Sequence, residues 1–393
     1  MAEKKISGIR ARIDYILKHN KIAYQCYKVV MSNVFKIWGV FIPINPMLIV
    51  FSGHSRRYND SPRAIYEKLI QQDRFKDYTF VWAVDDPINT IIPGSAKVIK
   101  TDTLSYFKYT LKARYWITCV NIERGLKYKK KECTYLNTWH GVALKSIDTV
   151  DARGNDDFSH VDFMCYESDY QKNVLMNSFN VRENHLVPSG LPRNDELYNI
   201  SADEVDDIKK ELGVTNDKQI ILYAPTWRDS DDGGNSYAIA PPIDIKKWEN
   251  TLSDRYILLI RIHAYTNRLL GIQFNDFVRD VSEYPSINKL FKISDILISD
   301  YSACIADYSI LERPIICFAY DYEHYCNTRG VNLDFEKEMP SGVMRSEDQV
   351  INHLLNMDYS KESLNSRKFK MKYTGIGGNA TNICIEKLFG KEV

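Results

Sequence analysis

From residue 47 onward the chain alternates short, unbroken apolar runs with stretches of helical periodicity. The runs MLIVF (47–51), YTFVWAV (78–84), AKVI (96–99), YWITCV (115–120), CTYLNT (133–138) and VDFMCY (161–166) predict strands. Between them Pro62 to Gln72, Thr103 to Ala113 and Ser168 to Ser178 predict helices, the first with Ser61 and Pro62 suited to the N-cap and N1 positions. The rhythm restarts after residue 200 with QIILYA (219–224), YILLIRI (256–262), DILIS (295–299) and PIICF (314–318). Strands that are apolar throughout are buried on both faces, as in parallel sheets covered by helices. The pattern therefore predicts an α/β fold of two doubly wound domains, 47–200 and 201–393, with the polar segment LYNISADEVDD (197–207) at the boundary. A last helix is expected near Ala380 to Phe389. In such sheets ligands bind beyond the carboxyl ends of the strands, and two such domains facing each other make a cleft where two substrates can meet.

The first 46 residues stand apart. Between residues 4 and 36, Lys and Arg interleave with Ile, Leu, Tyr, Val and Phe. Two readings fit: an amphipathic helix docked on an anionic membrane surface, or a surface helix packed on its own domain. The most apolar stretch, Val34 to Phe51, carries Lys36, Asn45 and two prolines, which makes it a poor spanning helix. No signal-peptide pattern is present.

Length and composition narrow the choices. A chain of 393 residues exceeds one ordinary core. Lys plus Arg is 52 against 51 Asp plus Glu, which argues against a dedicated nucleic-acid binder. The eight cysteines form no C-x-x-C pair and no zinc spacing, so they read as reduced, mostly buried thiols. There is no G-x-x-x-x-G-K-[ST] loop, no strand followed by G-x-G-x-x-G and a helix, and no G-x-S-x-G elbow. These absences argue against ATP hydrolysis, a dinucleotide cofactor and an α/β-hydrolase triad.

Polar residues cluster where the strands end. CTYLNT runs into Trp139-His140-Gly141, so His140 sits at a sheet edge; Gly141 lets a substrate approach the backbone, and Lys145 follows about one helical turn on. SGLPRND (189–195) enters a helix, with Arg193 directed at the same cleft. In LYAPTWRDSDDGG (222–234), Thr226 and Arg228 follow a strand and suit a pyrophosphate. Asp229-Ser230-Asp231 matches a metal-binding D-x-D, but three residues in an acidic, glycine-rich loop match easily by chance, and a solvated loop is the favoured reading. Arg261 and His263 end the apolar strand LLIRIH, two apart and on one strand face. In SDYSACIAD (299–307), Ser302 lies near a helix start that suits phosphate, and Asp307 can reach a ribose hydroxyl or support the loop; Asp300 reads as a site residue or as a simple helix cap.

Taken together and in order, NTWHG with Lys145, SGLPRND, YAPTWRD, RIH, SDYS with Asp307, RPIICFAYD and Arg329-Gly330 resemble the CDP-glycerol glycerophosphotransferase family of bacterial teichoic acid and capsule synthesis. FSGHSRRYNDSPRAIYEKL (51–69) is similar to that family's first α/β unit. The resemblance implies a GT-B-type architecture of two facing Rossmann-like domains, an acceptor side at 47–200 and a donor side at 201–393. It implies CDP-glycerol or CDP-ribitol as donor, CMP as leaving group and a lipid-linked glycopolymer as acceptor. The enzyme is expected as a peripheral protein on the inner face of the cell membrane. His140 is expected as general base and His263 as the second catalytic histidine. Thr226, Arg228, Arg261, Ser302 and Asp307 are expected on the donor, with Lys145, Arg193, Asp300 and Gly141 in support. No cofactor is expected, and Mg²⁺ is not required by this scheme. Ala264 and Ala303 stand where the family more often has proline and serine. A nucleotide-sugar transferase on the same fold and a non-catalytic anion-binding scaffold are the alternative readings.

Overall fold

The structure is a computed structural model. It describes residues 15–17, 19–144, 156–215, 217–226, 243–262, 272–328 and 330–391. Every apolar run named above becomes a strand in one of two sheets, and all strand pairings within them are parallel.

The first sheet holds β1 (Asn45–Ser52), β2 (Thr79–Val84), β3 (Lys97–Lys100), β4 (Ala113–Thr118), β5 (Thr134–Asn137), β6 (Phe163–Tyr166) and β7 (Leu186–Pro188), in the order β3-β2-β1-β4-β5-β6-β7. Alternate residues of one strand feed two cores. Leu48 and Val50 of β1 join Val81, Trp116 and Tyr135 on one face, and Ile49 and Phe51 join Trp82, Ile117 and Leu136 on the other. This two-sided burial is why the strand sequences show no polar alternation.

The second sheet holds β8 (Gln219–Tyr223), β9 (Tyr256–Ile260), β10 (Val278–Asp280), β11 (Ile296–Ser299), β12 (Ile315–Phe318) and β13 (Val343–Met344), in the order β10-β9-β8-β11-β12-β13. Ile221, Tyr223, Leu258, Ile260, Ile298 and Phe318 share its core. In both sheets the order reverses beside the first strand, between β1 and β4 and between β8 and β11. Those two positions are the topological switch points where ligands bind.

By internal contacts the chain divides into two compact units. Met1–His140, Ile147–Arg193 and Asn379–Val393 form the first, and Gly141–Ser146 and Asn194–Gly378 form the second. The last helix, Ala380–Phe389, packs in the first unit, where Phe389 meets Phe75, Tyr78 and Tyr115. Cys384 of that helix lies 3.4 Å from Cys165 of β6, sulfur to sulfur, and both are buried.

The helix Lys21–Val40 starts at Asn20, whose side chain accepts from the Ala23 amide, and buries Ser32, Phe35 and Gly39. Phe35 stacks on Phe107 at 4.1 Å between centroids, which seats this face in the first unit. The opposite face is apolar and uncovered: Ile22 is 77% exposed, Ile37 63% and Val40 81%. Among the described residues no helix is long and apolar enough to cross a membrane.

Three local expectations shift. The helix predicted from Pro62 starts at Asp60 with Asn59 in the cap position, because the Asp60 carboxylate takes the Ser61 amide at 2.7 Å and begins the turn early. The helix after β11 starts only at Cys304, with Ala303 in the cap position, and ends at Ser309. Strands β7, β10 and β13 were not expected; with two or three residues each, they are too short to leave a hydrophobic pattern.

Candidate active site

In the first unit the switch point is built from the ends of β1, β4 and β5. The turn after β5 is held by Asn137, a buried residue whose side-chain oxygen accepts from the Trp139 amide at 2.8 Å. Thr138 continues toward β4, its amide donating to the Thr118 carbonyl at 2.8 Å. Trp139 then adopts a left-handed φ of +57°. A non-glycine residue holds that conformation only where its surroundings compel it. Here the indole is seated against Phe179, 4.6 Å between ring centroids. The reversal turns His140 back over the end of β4, where Nδ1 lies 2.8 Å from the Cys119 carbonyl oxygen. A carbonyl only accepts, so Nδ1 carries the proton in the neutral ring and Nε2 keeps its lone pair. Burial is the main influence that lowers the His140 pKa, to about 4; His54 and Arg193 add to it, while the Cys119 carbonyl and Asp60 oppose it. The ring is therefore a neutral base at physiological pH.

Gly141 follows with φ +136°, a backbone region that side chains disfavour, which is a stronger reason for glycine than substrate approach alone. Arg193 is half-buried, and its Nη1 donates to Asp60 Oδ2 at 2.7 Å and to the His140 carbonyl at 3.0 Å. Burial alone would raise the Asp60 carboxyl; Arg193, the Ser61 amide and His140 outweigh it and hold the carboxyl below its ordinary range. His54 from the end of β1 lies 4.8 Å from His140, centroid to centroid. Sequence reading named His140, Gly141 and Arg193 here but not His54 or Asp60. The signal that finds them is the one that found His140: both lie just past the end of a strand, in GHSRRYND after β1.

In the second unit the switch point is tied by Asp300. Its buried carboxylate accepts from the Thr226 amide at 2.8 Å and the Tyr301 amide at 2.7 Å. Ser299 Oγ donates to the Ala224 carbonyl at 2.6 Å. These bonds join the loop after β8 to the loop after β11, so Asp300 is a loop tie and not a helix cap. Ser302 Oγ accepts from the Cys304 amide at 3.3 Å. Asp307 is buried, and its Oδ1 accepts from Asn194 Nδ2 at 2.7 Å. Arg261 donates through Nη1 to the Val281 and Tyr284 carbonyls, 3.0 and 2.7 Å away. Burial lowers its pKa, with Glu283 acting against that. Its guanidinium thus organises the loop after β10. His263, Arg228, Lys145 and the Asp229–Asp231 pair lie outside the described residues. Among the described residues no group of His, Cys, Asp and Glu is arranged to hold a metal ion.

Residues 34–381 match the family pattern of the CDP-Glycerol:Poly(glycerophosphate) glycerophosphotransferases. A teichoic acid poly(glycerol phosphate) polymerase of Bacillus spizizenii is 30% identical over 95% of this chain and 99% of its own length. A polymerase of the same description from Staphylococcus epidermidis is also 30% identical over 89% of this chain, which spans only 51% of that relative. Among solved structures, a histidine-to-asparagine variant of the wall teichoic acid polymerase TagF soaked with CDPG superposes with a TM-score of 0.78 at 26% identity, covering 94% of this chain and 96% of that one. The expected GT-B-type α/β architecture is borne out by that likeness.

Proposed function

The chain belongs to the CDP-glycerol:poly(glycerophosphate) glycerophosphotransferase family, and from that premise we propose that it moves glycerol phosphate from CDP-glycerol to a hydroxyl of a lipid-linked cell-wall or capsule glycopolymer. The observation that carries the assignment of the base is the Nδ1 anchor of His140 on the Cys119 carbonyl, which leaves Nε2 free to accept a proton. The acceptor oxygen attacks the phosphorus nearest the glycerol. A new P–O bond forms, the bridging bond to the cytidylyl phosphate breaks, and CMP leaves. The hydroxyl proton passes to His140 Nε2. General base catalysis of this kind contributes about 10²–10⁴-fold.

On the donor, the family resemblance assigns the phosphates to the loops of Thr226 and Ser302, and Asp300 ties those two loops together through the Thr226 and Tyr301 amides. Asp307 acts through Asn194, and Arg261 by bracing the neighbouring loop. His263 and Arg228, on the family resemblance, stabilise charge on the departing CMP. Gly141 and Arg193 fix the His140 turn, and Lys145 serves the acceptor side. The scheme uses no metal, and transfer is expected to persist in EDTA.

The uncovered apolar face of helix Lys21–Val40, with Lys21 and Lys36 also exposed, supports peripheral docking on an anionic inner membrane surface. Docked there, the enzyme would meet a lipid-linked acceptor.

The deciding experiment follows CMP release with CDP-glycerol, CDP-ribitol and a UDP-sugar side by side, with and without a lipid-linked acceptor. Acceptor-dependent CMP release from CDP-glycerol supports the reading. Preference for CDP-ribitol changes the polyol, and nucleotide release from the UDP-sugar alone overturns the assignment.

A further inference from the structure

The loop after β1 is built at a conformational cost that the proposed chemistry has not yet used. Gly53 begins it, and a Cβ there would lie 2.2 Å from the Arg57 carbonyl oxygen, so the turn closes only around glycine. Ser55 and Arg56 then take left-handed φ values of +50° and +57°. Arg56 is fixed in place by Asp85 at 3.3 Å and Asp102 at 3.1 Å, and its carbonyl accepts from the Asp85 amide at 2.9 Å. Left-handed backbone at two successive non-glycine residues persists only where the surroundings over-determine it. What this loop delivers is the imidazole of His54, laid 4.8 Å from the ring of His140 at an interplanar angle of 42°.

Two other contacts hold the His140 ring: Trp139 lies 4.0 Å away between ring centroids, and the Cys119 carbonyl holds Nδ1. The charged groups around the pair are Asp60 at the start of its helix, Arg193 after β7, and Arg57 on the His54 loop. Asp60 favours a proton on either ring, and Arg193 disfavours it on both. Arg57 acts on His54 alone.

We propose that His54 is a positioning residue for the transfer reaction, whose ring flanks that of His140 and, once His54 is protonated as the pH falls, opposes protonation of His140 Nε2 by like-charge repulsion. The two rings titrate as a pair, so that a proton on one opposes a proton on the other. Burial contributes to the low proton affinity of both, and the pairing sharpens it. This inference rests on His140 being the base.

The test compares H54F, which keeps a flanking ring without its charge, H54Q, which is polar and uncharged, and H54A, which removes the flank. In the full chain labelled with ¹⁵N-histidine, the His140 ring signal, identified by its loss in H140N, is titrated in each variant. The titration is expected to move up by about one unit, tenfold in proton affinity, in H54F and H54Q. The acid limb of kcat/KM is expected to move with it while the KM for CDP-glycerol stays within about twofold. H54A is expected to lose more kcat than H54F, because its ring has no flank. An unmoved His140 titration in both H54F and H54Q overturns the proposal. If the titration moves as expected but no variant or parent protein releases CMP from CDP-glycerol, the pairing stands and it is the proposed reaction that fails.

Discussion

Arg193 uses one nitrogen for two acceptors: Nη1 lies 2.7 Å from Asp60 Oδ2 and 3.0 Å from the backbone carbonyl of His140. A side chain from beyond β7 and a carboxylate from the start of a distant helix thereby fix the turn that carries His140. Both charges are largely withdrawn from water, so removing one strands the other. R193M and D60N are each expected to lower stability by about 3 kcal/mol in urea unfolding. The double variant should fall short of the sum by more than about 1 kcal/mol, since the two act as a unit. R193K, which keeps the charge but not the planar fork, should recover stability better than kcat.

The pH dependence of transfer reports on His140. Its pKa is lowered to about 4, mainly by burial, and in the proposed reaction the neutral ring is the base. Activity should therefore hold as pH falls through 6 and be lost only near pH 4, well below the range of an ordinary histidine. Stability runs the same way. The unfolded chain takes up this proton near pH 6.5 and the folded one only near 4, so the fold loses stability progressively between those values. H140N should remove that acid-side loss and reduce kcat by about 10²-fold or more. A bell with its acid limb near 6.5 in the parent protein contradicts the assignment.

Asp300 offers a test in the second unit. D300A leaves the Thr226 and Tyr301 amides without their shared acceptor. The expected cost is about 2 kcal/mol in stability and a rise of about tenfold in the KM for CDP-glycerol, equivalent to about 1.4 kcal/mol of binding. D300N, which keeps one side-chain oxygen, should restore much of both. A change in kcat with KM unaltered would place Asp300 in the chemistry itself.

The exposed face of helix Lys21–Val40 can be tested apart from catalysis. V30D combined with I37D puts charges on two exposed apolar positions and leaves the buried Phe35 face untouched. Cosedimentation with vesicles containing anionic lipid should fall at least tenfold, because each apolar side chain withdrawn from lipid costs on the order of 1.5 kcal/mol. Turnover of a soluble acceptor analogue should be unchanged. Equal sedimentation of parent and variant excludes this face as the docking surface.

The two parallel sheets are legible in the sequence because their strands are apolar on both faces, as Leu48 to Phe51 show. Strands as short as β10 and β13 are not, since their pairing depends on neighbours elsewhere in the chain. His140 is legible as a polar residue past a strand end. Its partners are less so: His54, Asp60 and Arg193 converge only once the order β1-β4-β5-β6-β7 is known, and strand order is not written in local pattern. Asp300 illustrates the same limit. Locally it looks like a cap, and only the pairing of β8 with β11 brings the Thr226 amide to its carboxylate.

The helix Ala380–Phe389 belongs to the first unit although some two hundred residues of the second precede it. During synthesis, the sheet that carries His140 emerges early but keeps one flank bare, with Phe75, Tyr78, Tyr115 and Cys165 lacking their partners Phe389 and Cys384. The second unit can be complete on the ribosome before the first is. Completion of the sheet that carries His140 thus waits on residues 380–389, which are made only after the second unit, so that unit's synthesis sets a delay on the first.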